Sequence, residues 1–183
     1  MNRKPLSLRY YGDPVLRKKA DPIAGSQAEI KELVESMFDC MYREAGVGLA
    51  APQVGISSRV FVVDVTDGGG VRTKRAFVDP VIVERAGTVV GEEGCLSIPG
   101  IRADVRRAAR IVVEAADEDG APFRLPAEGL LSRAIQHETD HLDGVLFVDR
   151  LSAIKRKLLE GRLKRVRPPV EGSAAPSRTA PSL

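Results

Sequence analysis

The two histidines of this chain both lie in the pentapeptide HETDH at residues 137–141, which has the pattern H-E-x-x-H. On a helix, residues four apart lie on the same face, so His137 and His141 can bind one metal ion from one side. Glu138 projects beside them and can act as a general base on water that the metal activates. The pentapeptide therefore predicts a metal-dependent hydrolytic centre.

Two histidines leave a catalytic divalent ion short of at least one protein ligand. The extended pattern H-E-x-x-H-x-x-G-x-x-H does not apply, because Phe147 occupies the position of the third histidine. Glu160 follows His141 by nineteen residues, a separation at which zinc peptidases place a glutamate ligand. Its neighbours are mostly lysines and arginines, where an ion-paired surface acid is the simpler interpretation. A zinc peptidase with Glu160 as third ligand is the alternative function.

Cys95 is the other candidate for the missing ligand. A thiolate and two imidazoles form a site that suits iron(II), zinc, cobalt or nickel. A glycine precedes Cys95 and an Ile-Pro-Gly turn follows it at residues 98–100, so the chain bends there to present a side chain. The alternative is that Cys95 is a small buried hydrophobic residue. Cys40 lies between Met37 and Met41, and we interpret it as a packing or surface residue.

Length and composition favour one cytoplasmic domain. The chain of 183 residues can bury a core without disulfides, and we expect a single catalytic domain over residues 1–167. Residues 168–183 are rich in Pro, Ala and Ser and are expected to be disordered. No signal peptide and no membrane span are expected, because no long apolar run is present. The net charge of +3 is too small to indicate sequence-specific binding of nucleic acid.

The elements that must position these residues include an N-terminal and a C-terminal helix. The first helix begins at Ser26, which forms a capping-box pattern with Glu29. The C-terminal helix is predicted from Ser152 to about Val166. It is strongly basic, because residues 150–167 carry eight lysines and arginines against the single acid Glu160.

A central helix over about residues 130–142 is predicted to carry the H-E-x-x-H pattern. Leu130 and Ala134 continue the line of the two histidines, so we expect this face to point inward and the helix to be half-buried. Gly144 is placed to end the helix.

Runs rich in β-branched and aromatic residues predict strands at residues 60–65, 77–83 and 111–115. Pro80 places the second strand at a sheet edge or at a bulge. Turn residues between the runs favour antiparallel neighbours. The elements together predict an α+β fold, in which antiparallel or mixed sheets pack around the central helix.

Three segments in order along the chain resemble the three motifs of the peptide deformylase family. They are GVGLAAPQ at residues 46–53, EGCLS at residues 93–97 and QHETDH at residues 136–141. The similarity extends from about Tyr11 to Arg165 and does not include the C-terminal tail. Three motifs in register are more specific than H-E-x-x-H alone.

The resemblance implies a metal-dependent hydrolase that releases formate from the N-terminal formylmethionine of nascent polypeptides. It implies the metal ligands Cys95, His137 and His141. The native ion would be Fe²⁺, with Zn²⁺, Ni²⁺ or Co²⁺ as substitutes. Glu138 would act as general base and then general acid. The side-chain amide of Gln53 and the backbone N–H of Leu96 would stabilise the oxyanion.

The resemblance also implies residues that bind the substrate. The candidates for an apolar pocket around the methionine side chain are Val47, Leu130 and Ala134. Gly48 would let the peptide backbone approach closely, although a simple turn glycine is the alternative. Arg102 would lie near the peptide entrance, or be an ordinary surface arginine, and Arg133 would edge the pocket.

The basic C-terminal helix is the candidate for a partner surface. By resemblance to bacterial deformylases, it would dock on the ribosome through contacts with phosphate groups. The alternative is a solvated amphipathic helix with no partner.

Overall fold

The computed structural model describes residues 5–166 as an α+β fold. The helices are α1 (Gln27–Arg43), α2 (Gly129–Leu142) and α3 (Ala153–Leu163). The strands are β1 (Gly48–Ala50), β2 (Val60–Thr66), β3 (Arg72–Ala86), β4 (Val89–Cys95), β5 (Ile98–Arg107), β6 (Arg110–Ala116) and β7 (Pro122–Glu128). No helix within residues 5–166 is long and apolar enough to cross a membrane. The prediction for the tail, and Arg167 at the end of the basic segment, lie outside the described residues.

Five strands form one antiparallel sheet in the order β1-β2-β3-β6-β7, and β4 pairs with β5 in a separate hairpin. Side chains alternate between the two faces of a strand. In β2, Phe61 and Val63 belong to the apolar cluster that contains Ala134 and Ile135 of α2. Val60 and Val62 of β2 point to the other face and pack in the cluster formed with α1. The sheet therefore separates two apolar layers, with one helix on each face.

The hairpin of β4 and β5 packs in a third apolar cluster. This cluster joins Ile98, Ile101 and Val105 of the hairpin to Phe147 after α2 and to Leu163 of α3. The hairpin is thereby held beside the C-terminal end of α2, although it shares no strand pairing with the main sheet.

Helix α1 begins as the sequence predicts. The Ser26 hydroxyl accepts a hydrogen bond from the Glu29 backbone N–H at 3.4 Å, and the Glu29 carboxylate accepts one from the Ser26 backbone N–H at 2.7 Å. This is the predicted capping box. Helix α3 also begins as predicted, because Ser152 is its N-cap residue.

The prediction that α2 is half-buried is wrong, because every residue from 132 to 142 is buried. Two of its buried polar residues, Gln136 and Asp140, have partners on the hairpin and on the loop after it. The Gln136 amide donates to the Ala108 carbonyl at 2.9 Å and accepts from the Ala108 N–H at 3.0 Å. Asp140 accepts a hydrogen bond from Arg107 at 2.5 Å. The polar residues of α2 therefore lie on a buried face and not on a solvated one.

Pro80 lies at a bulge and not at a sheet edge. Strand β3 is in the middle of the sheet, between β2 and β6, and its pairing with β6 shifts register between Val78 and Val81. Asp79 adopts a left-handed φ of 47°, and its side chain accepts from the Ile23 N–H at 3.0 Å. The bulge accommodates a residue that cannot donate to the strand ladder.

Four of the strands, namely β1, β4, β5 and β7, are not predicted from the sequence. Strand β4 has the sequence VVGEEGC and β1 has GLA, and glycine and glutamate are depleted in strands. Their buried side chains have partners on distant segments, such as Arg133 and His137 of α2 for Glu93 of β4 and the α1 cluster for Leu49 of β1. Single-sequence propensity contains no information about such partners.

Gly144→Ala is expected to destabilise the protein by at least about 1–2 kcal/mol, because Gly144 ends α2 in a left-handed conformation. Its φ is +72°, and a Cβ there would lie 2.7 Å from the backbone oxygen of Arg17. The control is Gly161→Ala in α3, where a Cβ meets nothing within 4 Å. That change is expected to be neutral or stabilising by up to about 1 kcal/mol. Urea unfolding measures both, and a Gly144→Ala variant as stable as the parent would contradict the prediction.

Candidate active site

Three buried side chains converge between α2 and the β4-β5 hairpin. Cys95 ends β4, and His137 and His141 lie one turn apart on α2. Their ligand atoms all lie within 4.8 Å of one another, and Cys95 Sγ is 3.3 Å from His141 Nε2. Within residues 5–166 this is the one group of three or more His, Cys, Asp or Glu side chains close enough to share an ion. The structure therefore brings together the three ligands that the family resemblance implies.

The protonation chemistry of this group fits a divalent cation. Burial, and then the charge of His137, lowers the pKa of His141 well below its ordinary value, so that its imidazole is neutral and free to bind a metal. Burial, and then the charge of Glu138, raises the pKa of Cys95 to about 12. The Nε2 atom of His137 has no hydrogen-bond partner among the described residues. A metal ion is the partner that such atoms lack, because it binds neutral imidazole and ionises a coordinating thiol.

Glu138 is completely buried beside the three ligands. Neither of its carboxylate oxygens has a hydrogen-bond partner within the part of the chain that the structure describes. Burial, and then repulsion from Glu93, raises the pKa of Glu138 well above its ordinary value. A carboxylate in this environment takes up a proton readily, which is what a general base needs before it acts as an acid.

Gly48 provides the space for this carboxylate. It lies in β1, paired with Val63, so the interpretation as a simple turn glycine is wrong. A Cβ at Gly48 would approach Glu138 Oε1 to 2.5 Å. Since β1 is held by the sheet, any side chain at this position would have to displace Glu138.

Gln53 is fully buried in the short 3₁₀ turn after β1. Its Oε1 accepts from the Ala50 N–H at 2.8 Å, which orients the amide. Its Nε2 then faces Cys95 Sγ at 3.5 Å and Ser97 Oγ at 3.3 Å. Leu96, which lies between these two residues in the chain, is also buried. An amide donor and a backbone segment are thus both held next to the candidate metal ligand.

Glu93 is a buried residue to which the sequence analysis assigned no role. It accepts from Arg107 Nε and Nη2 at 2.9 Å, from Arg133 Nη1 at 2.6 Å, and lies 3.1 Å from His137 Nδ1. Burial by itself raises the pKa of Glu93, but hydrogen bonds from Arg107 and His137 outweigh it and hold that pKa well below its usual range. The ionised carboxylate accepts from Nδ1 and leaves Nε2 of His137 for a metal. No sequence signal pointed to Glu93, because β4 has the sequence VVGEEGC, which does not predict a strand.

Two of the three predicted pocket residues lie in one apolar cluster. Ala134 is fully buried in the cluster on the α2 face of the sheet, and Val47 packs against that cluster while half-buried. Leu130 lies in the first turn of α2 and is 39% exposed. The side chain of Leu130 is therefore available to a bound molecule.

The two predicted arginines have different surroundings. Arg102 pairs across the hairpin with Gly94, and its side chain forms an ion pair with Glu92 at 2.6 Å. This position is beside Cys95 on a partly exposed edge. Arg133 is buried, and its guanidinium donates to Glu93 and to a backbone carbonyl of β5. The structure places Arg133 in the ion cluster behind His137.

Glu160 lies away from this group. It is on the exposed side of α3, its side chain is 55% exposed, and it pairs with Lys164 at 2.5 Å. This is the ion-paired surface acid that its basic neighbourhood favours, and nothing in the described residues supports it as a metal ligand. Cys40 is buried in α1, as the packing interpretation expects.

Comparison with known proteins agrees with this geometry. The family model for polypeptide deformylase matches residues 5–157. The chain is 47% identical over 156 residues to a peptide deformylase of Acidobacterium capsulatum, an alignment covering 85% of this chain and 92% of the relative. It is 52% identical over 143 residues to peptide deformylase 1 of Clostridium perfringens, covering 78% and 95% of the two chains.

Solved structures of peptide deformylases have the same fold as this chain. A peptide deformylase from Legionella pneumophila superposes with a TM-score of 0.81 at 42% identity, covering 88% of this chain and 95% of the other. A peptide deformylase from Synechococcus elongatus, solved in complex with actinonin, superposes with a TM-score of 0.80 at 41% identity, covering 92% and 95%. Since the family model spans most of the chain and the relatives align over most of their own length, the chain belongs to the peptide deformylase family.

Proposed function

We propose that this protein is a peptide deformylase that removes the N-formyl group, as formate, from the N-terminal formylmethionine of nascent polypeptides. The observation that carries the proposal is the buried group of Cys95, His137 and His141 with the unpartnered carboxylate of Glu138 beside it. Ligands and base together form the machinery that hydrolysis of an amide by activated water requires.

A divalent ion on these three ligands would polarise a carbonyl group and lower the pKa of water towards neutrality. We infer from the family resemblance that the native ion is Fe²⁺. One thiolate and two imidazoles also accept Zn²⁺, Ni²⁺ and Co²⁺, so these ions can substitute.

The protein's own groups supply the proton transfers and the oxyanion contacts. Glu138 takes a proton from the attacking water and returns it to the amine nitrogen as the bond to the formyl carbon breaks. The products are formate and a peptide with a free N-terminus. Gln53 Nε2 and the Leu96 backbone N–H donate to the oxygen that becomes negatively charged, and losing one such donor typically costs on the order of a hundredfold in rate.

Substrate binding is assigned to the surfaces around this centre. Val47, Leu130 and Ala134 would enclose the methionine side chain. Gly48 lies in the edge strand β1, where an extended peptide can approach the backbone. Arg102 would face the peptide entrance, and Arg133 would support the pocket from behind.

Helix α3 is proposed to dock on the ribosome. Within the helix only Leu163 is buried, and Lys155 and Lys157 are exposed, so these two side chains can meet phosphate groups. Nascent chains emerge from ribosomes in the cytoplasm, and a cytoplasmic location agrees with the two free cysteines.

Glu138→Gln is expected to lower formate release from formyl-Met-Ala-Ser by at least about a hundredfold, because the amide cannot accept the proton of the attacking water. The bound metal should be unchanged, since Glu138 is not a ligand. The matched control is Glu114→Gln, an exposed glutamate on β6 that pairs with Arg124. Turnover in Glu138→Gln at the rate of this control would contradict the mechanism.

Metal analysis separates the deformylase from the zinc peptidase alternative. Cys95→Ala is expected to empty or cripple the site, whereas Glu160→Gln should leave it filled, because Glu160 pairs only with a surface lysine on α3. The measurement is the metal content after reconstitution with Fe²⁺ under anaerobic conditions and, separately, with Zn²⁺. Loss of metal from Glu160→Gln with retention in Cys95→Ala would reverse the assignment.

Ribosome docking is tested by the double variant Lys155→Gln/Lys157→Gln on exposed positions of α3. Cosedimentation with ribosomes should weaken, and its dependence on salt should become shallower by roughly one unit of slope for each lost phosphate contact. The control is Lys18→Gln/Lys19→Gln, which removes the same charge from exposed positions elsewhere. Equal binding by the two double variants, or binding that does not respond to salt, would rule out α3 as the docking surface.

A further inference from the structure

A chain of alternating charges connects His137 to the protein surface. Behind His137, Glu93 is held by Arg107 through two hydrogen bonds of 2.9 Å. The remaining terminal nitrogen of Arg107 donates to Asp140 at 2.5 Å. Asp140 in turn accepts from Arg150 Nη2 at 2.5 Å and from Arg150 Nε at 3.1 Å. The order from the metal ligand outwards is imidazole, carboxylate, guanidinium, carboxylate, guanidinium.

Burial falls steadily along this chain. The side chains of Glu93 and Arg107 are 0% and 3% exposed, that of Asp140 is 10% exposed, and that of Arg150 is 47% exposed. Only the outermost group is therefore well solvated. The inner groups depend on one another for hydrogen bonds, because a buried charge without a partner is costly.

Asp140 balances the charge of the inner cluster. Glu93 is shared by two buried arginines, Arg107 and Arg133, so the three groups together carry one excess positive charge. The carboxylate of Asp140 compensates that charge on Arg107. Without it, an uncompensated cation would lie behind a site that has to bind another cation.

Asp140 also fixes the orientation of Arg107. A guanidinium is planar, and Arg107 uses one edge for Glu93 and the remaining Nη1 for Asp140. Two anchors on one plane prevent the guanidinium from rotating about either of them. Arg150 anchors Asp140 in the same way from the solvent side, through two hydrogen bonds to its carboxylate.

We propose that Asp140 and Arg150 are positioning residues for His137, which act through Arg107 and Glu93 to hold the imidazole in the orientation that binds the metal. The inference rests on the proposed function, since it takes His137 as a metal ligand. Neither residue touches the three ligand side chains in the described contacts, and neither has a role in the reaction chemistry. Their effect is on the geometry and strength of metal binding.

Arg150 allows geometry to be separated from simple charge. Removing a positive charge near the site favours a bound cation, so a purely electrostatic role predicts tighter metal binding in Arg150→Gln. A positioning role predicts weaker binding, because Asp140 loses its outer anchor and Arg107 loses its restraint. The two roles therefore predict changes of opposite sign.

The experiment is a titration of the metal-free, full-length chain with Co²⁺, followed by the absorption of the cobalt-thiolate and ligand-field bands. Asp140→Asn is expected to raise the Kd for Co²⁺ by about tenfold or more and to shift the ligand-field bands, since changes in partners behind metal ligands typically cost 10–100-fold. Arg150→Gln is expected to raise the Kd by a smaller factor, about threefold to tenfold, because it acts one step further out.

The matched control is Arg156→Gln. Arg156 is 50% exposed, close to the 47% of Arg150, and pairs with Asp149, which has no contact with Glu93 or Arg107 in the described network. Its Kd for Co²⁺ should stay within about twofold of the parent, because the lost charge is screened by solvent. Circular dichroism and thermal unfolding check that each variant is folded.

An unchanged or lower Kd in folded Arg150→Gln would overturn the proposal. If Asp140→Asn does not fold, the comparison of Arg150→Gln with Arg156→Gln decides alone, since both changes are at half-exposed positions. A parent protein that binds no Co²⁺ with a thiolate band would reject the metal centre, and with it both proposals. Normal binding by the parent with unchanged variants rejects only the role of Asp140 and Arg150.

Discussion

The buried carboxylate of Glu93 is the interaction on which the arrangement of the site depends. It joins the β4-β5 hairpin to α2, because it lies on β4 and receives hydrogen bonds from Arg107 on β5 and from Arg133 and His137 on α2. The hairpin has no strand pairing with the main sheet. Removing one partner from a buried ion cluster typically costs about 3–5 kcal/mol, so the cluster holds the hairpin and the histidine helix in one geometry. Cys95 lies close to the two histidines only because the hairpin and α2 keep this arrangement.

The site concentrates polar atoms that are buried without partners, and the rest of the fold offsets that cost. Both oxygens of Glu138 and the Nε2 of His137 are unpartnered among the described residues. A buried polar atom without a hydrogen-bond partner destabilises a fold unless a bound ligand supplies that partner. Such atoms are therefore found mainly at functional sites. The apolar layers on the two faces of the sheet, together with the cluster under the hairpin, supply the compensating burial. The three candidate metal ligands and Glu138 thus lie on a strand and a helix and not on a loop.

The H-E-x-x-H pattern is shared by enzymes with different third ligands, and the third ligand separates them here. Short sequence patterns correctly predicted where helices begin and end, as with the Ser26 cap of α1 and the end of α2 near Gly144. They failed for the burial of residues 132–142 of α2 and for β4, whose glycines and glutamates disfavour a strand. In both cases the partners that make burial tolerable come from distant segments. A pattern within one segment contains no information about such partners.

The residues alone therefore indicated His137 and His141 as two ligands and Glu138 as the candidate general base, because the four-residue spacing of two histidines is a property of any helix and needs no tertiary contact. They left the third ligand open between Cys95 and Glu160. The order of three motifs along the chain was enough to place the protein in its family. The fold decided the rest. Only the approach of β4 to α2 showed Glu93, Arg107 and Asp140 behind His137, and only the packing of β1 showed that Gly48 has to lack a side chain. These contacts join residues far apart in sequence, and their distances depend on how the hairpin and the sheet pack against one helix.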